Sequence, residues 1–131
     1  MKKILIVLAA LFAFFLLGCQ ESTTVSPASV QLISAQTGKS MMDEDAAIIL
    51  VDVRTLAEFN EGHIEGALLL PLADLESQAA SSIPDKQATY IIYCRSGNRS
   101  YQAATILVNL GYRHIYDMGG IISWPYGIVI P

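Results

Sequence analysis

Metal-ligating residues are scarce in this chain, whose 131 residues include two cysteines and two histidines. No Cys/His cluster has metal-ligand spacing, and no glycine-rich phosphate loop of the dinucleotide or P-loop kind is present. No cofactor is therefore expected. Cations are also few, eight Lys and Arg against twelve Asp and Glu, for a formal net charge of −4. Outside one short loop there is no basic patch, which argues against nucleic acid as a partner. Internal repeats are absent, and the length suits one domain. The apolar run at residues 4–17 is too short to span a bilayer comfortably.

That run is informative in another way. Lys2 and Lys3 precede it, and a basic segment followed by a short apolar one marks a secretory signal. It ends in Leu16-Leu17-Gly18-Cys19, which resembles the lipobox of bacterial lipoprotein signals. The resemblance implies cleavage before Cys19 and lipidation of that residue, with two or more acyl chains giving a stable anchor. The plainer alternative is an incidental cysteine closing an ordinary signal peptide. The expected organisation is a signal peptide at 1–18, a flexible Ser/Thr/Pro-containing tether at 19–29 and one domain at 30–131. The expected location is the bacterial cell envelope, on the periplasmic face of a membrane or the outer face of a single one. Gln20 is not the aspartate that marks inner-membrane retention in some bacteria, which favours an outer membrane where there are two. Removal of residues 1–18 takes away Lys2 and Lys3 and moves the net charge from −4 to −6. With Cys19 acylated, Cys94 is the single free thiol and no intramolecular disulfide can form.

The most chemically suggestive stretch is Tyr90-Ile91-Ile92-Tyr93-Cys94-Arg95-Ser96-Gly97-Asn98-Arg99-Ser100. A short β-prone run delivers a cysteine to a polar turn with one glycine and two arginines, and residues 101–110 read as a helix. A thiolate there would face backbone N–H groups and the positive end of the helix dipole. Those groups and the two guanidinium groups favour an ionised, nucleophilic sulfur in a cradle suited to an anion. A lone cysteine after an apolar strand is otherwise a small buried hydrophobe. A core cysteine has no use for two cations and a residue free to adopt positive φ, so the reactive reading is preferred.

The remaining chain alternates strand and helix signals. Residues 30–33 read as a short strand, with Ser34 capping a helix over 35–42. Met41 and Met42 read as packing residues, and Asp43-Glu44-Asp45 as a solvated turn. Residues 47–53 form a continuous apolar run, the pattern of a strand buried on both faces. Thr55 caps a short helix with Glu58 at the capping-box position, and Gly62 ends it. Residues 67–70 read as a second buried strand stopped by Pro71, and 72–81 as a helix. Residues 89–93 form the strand that feeds Cys94. The helix after the loop stops at Gly111, and 114–116 form a last strand. This alternation predicts an α/β fold, a mainly parallel sheet of about five strands with helices on both faces. Ligands bind such sheets at the carboxyl ends of strands, where Cys94 is expected.

Several spaced motifs together resemble the rhodanese domain. They are Asp52-Val53-Arg54, Glu58-Phe59, Gly62-His63-Ile64 and Gly66-Ala67, then the loop from Cys94 to Arg99, then Leu110-Gly111-Tyr112, Gly119-Gly120 and Trp124. The resemblance spans roughly residues 30–126. Leu69 stands where the family usually has asparagine, and the segment before Gly119 is one residue short, so local geometry there departs from the pattern.

The resemblance implies sulfur transfer. The Cys94 thiolate would take a sulfane sulfur from thiosulfate or a persulfide, and the resulting Cys94 persulfide would pass it to a thiol or cyanide. Backbone N–H groups of Arg95, Ser96, Gly97, Asn98, Arg99 and Ser100 would hold the charged sulfur. Arg95 and Arg99 would attract an anionic donor, Arg99 also serving structure at the helix start. The fold also hosts phosphatases and some arsenate reductases, and fold alone does not choose among them. Phosphatase members place five residues between cysteine and arginine; here four intervene, a smaller cradle that fits one sulfur atom better. A different alternative is a sulfur carrier or protein-binding module with little small-molecule turnover.

The other polar candidates read mainly as structure. Asp52 and Arg54 at a strand end form a buried network more readily than a catalytic pair. His63 is tempting as a general base, but a thiolate stabilised by its loop needs none. Trp124 and Tyr126 belong to the core or to the rim of the pocket. Expected partners are a small anionic sulfur donor, a thiol or cyanide acceptor and, through Cys19, a membrane; a monomer is the default.

Overall fold

The computed structural model describes residues 26–131. The expected signal peptide, Cys19 and most of the tether lie outside the described residues. The elements are β1 (Val30–Leu32), α1 (Ala35–Glu44), β2 (Ile49–Asp52), α2 (Leu56–Glu61), β3 (Leu68–Leu69), α3 (Leu75–Ser82), β4 (Thr89–Cys94), α4 (Asn98–Asn109) and β5 (His114–Gly120). Two 3-10 turns, Leu72–Asp74 and Ile121–Ser123, join them. The five strands lie in the order β1-β5-β4-β2-β3, and every pair is parallel. The α/β fold expected from the alternation is thus observed.

Strand periodicity decides which side of the sheet each β4 side chain meets. Tyr90, Ile92 and Cys94 join Val51, Val53, Leu75, Ala103, Ala104 and Leu107 in one apolar layer, supplied by α3 and α4. Ile91 and Tyr93 point the other way, into a smaller layer with Leu50, Ile64 and Met118. Met41, Met42 and Trp124 pack against that second layer, as the sequence reading of the methionines anticipated. Cys94 therefore leaves the sheet on the α4 side.

Local capping follows the sequence closely. The Ser34 hydroxyl accepts from the Thr37 N–H at 3.0 Å and starts α1. Thr55 and Glu58 form a reciprocal capping box at α2, satisfying two otherwise orphaned donors.

Several boundaries differ from expectation, α4 among them, which spans Asn98–Asn109 where 101–110 is expected. The strand expected at 67–70 shrinks to Leu68–Leu69 and is not buried throughout: it lies at the sheet edge with Leu68 exposed. Pro71 has no N–H to extend a ladder, and the chain turns instead, Leu72 N–H donating to the Val53 carbonyl at 3.0 Å. The helix expected at 72–81 divides into a 3-10 turn and α3. The start of the 47–53 run is not strand, since Ala47 is exposed and its N–H is held by Asp45 Oδ1 at 2.9 Å. Asp43 and Glu44 belong to the last turn of α1, where Asp43 pairs with Lys39.

The largest difference bears on function. The last strand runs four residues beyond Tyr116, to Gly120. Its register against β4 shifts between Ile92 and Tyr93, so that Asp117 faces Ile92 but Gly119 faces Tyr93 and Gly120 faces Cys94. Such a bulge re-aims a strand end. Here it brings two glycines beside the cysteine.

Candidate active site

Cys94 is the last residue of β4, and Gly97 leads into α4 three residues later. Gly97 has φ +106°, a left-handed conformation that an L side chain rarely adopts. This sharp turn folds the backbone over the sulfur, and the Gly97 N–H donates to Cys94 Sγ at 3.0 Å. Cys94 is 1% exposed. The Ser100 hydroxyl donates to the Gly97 carbonyl at 3.0 Å and braces the turn. Asn98 faces outward, its side-chain oxygen accepting from Gln102 at 3.1 Å. Ser96 is exposed at the loop tip.

The loop rests on the end of β5. A Cβ added to Gly120 would lie 2.2 Å from the Arg95 carbonyl oxygen and 2.6 Å from Ser96 Cα. No side chain fits there without moving the loop. The Ile122 N–H donates to the Arg95 carbonyl at 3.3 Å, holding the loop from the same side. Asp117, buried on β5, accepts the Gly119 N–H at 2.9 Å and fixes the glycine pair. Sequence reasoning noted Gly119-Gly120 as a motif but gave it no part in the site, and it passed over Asp117. The available signal was a Gly-Gly pair where strand residues are normally excluded.

The two loop arginines differ. Arg99 reaches back to α2 and makes a bidentate pair with Glu58, Nη1 to Oε2 and Nη2 to Oε1, both at 2.7 Å. The hydrogen bond from Arg99, with help from Thr55, outweighs partial burial and holds the Glu58 carboxyl at about 2. The same bond raises Arg99. Arg95 is exposed and, among the described residues, makes no side-chain hydrogen bond or ion pair. Of the two cations expected to face a donor, Arg95 alone has its guanidinium uncommitted.

Asp52 and Arg54 sit at the end of β2, beside β4. The Asp52 carboxylate accepts from the Arg54 backbone N–H at 2.9 Å, from Nε at 3.0 Å and from Nη2 at 2.7 Å. Arg54 Nη2 also donates to the Gly62 carbonyl at 2.8 Å. Both side chains are buried, and the network fastens the end of α2 to the sheet. Arg54 lies over the Tyr93 ring at 5.7 Å, and the Tyr93 hydroxyl, its ionisation disfavoured first by burial, accepts from the Ile64 N–H at 3.1 Å.

His63 is occupied by contacts with Phe59 and Val129. Its ring stacks on Phe59 with centroids 3.6 Å apart and planes 7° from parallel. Nδ1 lies 3.0 Å from the Phe59 carbonyl, which requires a donating Nδ1–H. Its backbone pairs with Val129 in an isolated antiparallel bridge. Trp124 is half-buried against the smaller core layer, and exposed Tyr126 meets it edge-on at 4.9 Å. No cluster of His, Cys, Asp or Glu that could hold a metal occurs among the described residues.

Comparisons with known proteins find rhodanese-like relatives. The rhodanese-like domain model matches residues 34–125. A sulfurtransferase of Allochromatium vinosum is 41% identical over 96 residues, covering 72% of this chain and 88% of the relative. The thiosulfate sulfurtransferase PspE of Escherichia coli is 37% identical over 71 residues, covering 54% of this chain and 68% of PspE. A Bacillus subtilis relative named as a sulfur carrier protein, YrkF, is 30% identical over 105 residues, covering 79% of this chain and 56% of YrkF. Among solved structures, a rhodanese with anions from E. coli superposes with a TM-score of 0.61 at 33% identity, covering 65% of this chain and all of the other.

Proposed function

The chain belongs to the rhodanese-like domain family, a family with sulfurtransferase members, and we propose that it moves a sulfane sulfur through a persulfide on Cys94. The observation that carries the reading is the Gly97 N–H at 3.0 Å from Cys94 Sγ, within a loop that places four residues between Cys94 and Arg99. In the first step the Cys94 thiolate attacks the outer sulfur of thiosulfate. The S–S bond breaks, sulfite leaves with its electron pair, and the protein keeps Cys94–S–S⁻. In the second step cyanide or a thiolate attacks the terminal sulfur, forming thiocyanate or a new persulfide and returning the Cys94 thiolate. The Gly97 N–H supports negative charge on sulfur in both steps, and Arg95 attracts the anionic donor. No metal or cofactor enters either step.

The test is the intact mass of the protein before and after incubation with thiosulfate. A gain of one sulfur atom on Cys94, removed by cyanide, is expected. No gain on a demonstrably reduced thiol contradicts thiosulfate as donor.

A second reading, a sulfur carrier loaded by another protein, is favoured by the relative named as a sulfur carrier. It predicts persulfide formation from a protein donor with poor turnover of thiosulfate and cyanide. The proposal extends to location: a lipid anchor on Cys19 would hold the domain at the outer surface of a cell-envelope membrane, and Cys19→Ala should release it to the soluble fraction.

A further inference from the structure

The cations and anions around Cys94 do not cancel evenly. Three arginines stand at or just beyond the carboxyl ends of β2 and β4: Arg54 is neutralised by buried Asp52, Arg99 by Glu58, and Arg95 by nothing among the described residues. Glu58 first, and Cys94 to a lesser degree, are anionic groups that raise Arg99. The Arg99 guanidinium is paired with Glu58, one N–H from each terminal nitrogen lying 2.7 Å from a carboxylate oxygen. The Glu58 carboxylate is itself fixed, because Oε2 also accepts from the Thr55 N–H and hydroxyl, each at 3.0 Å. The capping box of α2 thus holds an anion rigidly beside the cation that opens α4.

We propose that Glu58 is a positioning residue that sets the charge specificity of the site: by occupying Arg99 it leaves Arg95 as the one cation available to a donor, tempering attraction for dianions such as thiosulfate relative to monoanionic persulfides. The proposal rests on the sulfur-transfer reading for its substrates, but its electrostatic core concerns only the field at the thiol. A dianion gains twice as much as a monoanion from each uncompensated positive charge. One carboxylate at this position is therefore enough to change the ranking of donors.

Alkylation separates field from function. Anionic iodoacetate and neutral iodoacetamide react at the same sulfur, so the ratio of their rates on Cys94 reports local charge without requiring turnover. Glu58→Gln keeps an oxygen able to accept from Thr55 and removes the negative charge. It should raise the iodoacetate-to-iodoacetamide ratio by roughly three- to tenfold, the size of one partly screened charge near contact. Arg95→Gln should lower the ratio. The double variant Glu58→Gln/Arg99→Gln, which deletes both members of the neutral pair, should return it near the starting value. For thiosulfate, Glu58→Gln should lower KM by a similar factor with kcat nearly unchanged, a split that loss of structure would not produce.

An unchanged ratio in a folded Glu58→Gln protein, or a double variant that stays as high as the single one, overturns the assignment. Misfolding would expose the thiol and speed both reagents alike, without the rise in ratio and without its reversal by the second substitution. Shifted ratios with no sulfur uptake would sustain the charge role of Glu58 and overturn its donor ranking along with the sulfur-transfer reading. Sulfur uptake with unchanged ratios would overturn the role of Glu58 alone.

Discussion

Two polar segments leave the carboxyl ends of neighbouring strands, and they use their polar groups differently. After β2, the Asp52 carboxylate accepts from the Arg54 guanidinium, which also donates to the Gly62 carbonyl, and His63 Nδ1 is occupied by the Phe59 carbonyl. After β4, a backbone N–H points at a sulfur and an arginine has no partner among the described residues. The first segment is saturated and the second is poised. Both carry Asp, Arg, His or Cys in conspicuous motifs, but Asp52 and Arg54 of the first are joined to each other, while Arg95 of the second has no side-chain partner among the described residues. Residue type nominates a site, and unspent hydrogen-bonding capacity identifies it.

The largest test breaks the poised segment. Cys94→Ser should reduce sulfur transfer to background while the far-ultraviolet circular dichroism spectrum is retained, because the substitution removes the nucleophile and little volume. Retained transfer would refute the persulfide route. The saturated segment should respond in the opposite manner. Arg54→Ala leaves Asp52 charged, buried and unpaired, a situation that costs about 3–5 kcal/mol, measured as loss of unfolding free energy in denaturant. Its effect on transfer should follow the fraction unfolded; full stability with abolished turnover would instead put Arg54 in the chemistry.

The contrast explains what was legible in the sequence. The strand before Cys94, the caps Ser34 and Thr55 and the parallel α/β arrangement follow from local rules, and local rules are written in neighbouring residues. The pairing of Asp52 with Arg54 was legible for the same reason, two residues apart on a strand end. What escaped were relations across long loops. The commitment of Arg99 to Glu58 joins residues 41 positions apart, and nothing local announces it. The extension of β5 through Gly119 and Gly120 runs against strand propensity and is imposed by the bulge opposite Tyr93.

A smaller effect is expected at that bulge, where the poised loop meets its support. Gly120→Ala places a methyl group 2.2 Å from the Arg95 carbonyl oxygen. Backbone on both sides limits relaxation, so overpacking should cost about 1–3 kcal/mol in denaturant unfolding. Transfer should fall by more than the stability loss explains, since the loop that aims the Gly97 N–H must move. A variant as active as the parent would mean that loop position matters little.

The smallest effect concerns the bridge between the two segments, and pH resolves it. Glu58 is held at about 2 in the folded protein against an ordinary value of 4.5, so the unfolded chain binds its proton first on acidification. Its stabilisation is therefore fully present above pH 4.5 and is lost as the pH falls from there toward 2. Arg99 keeps its charge throughout this window, which leaves the glutamate as the titrating member of the pair. The melting temperature of the parent should fall more steeply between pH 5 and 2 than that of Glu58→Gln, and the two curves should converge near pH 2. Parallel curves would show that the bidentate contact adds nothing to stability, in keeping with many partly exposed ion pairs. They would leave its influence on charge at the thiol to be judged by the alkylation ratio, because a pair can steer an anion without stabilising a fold.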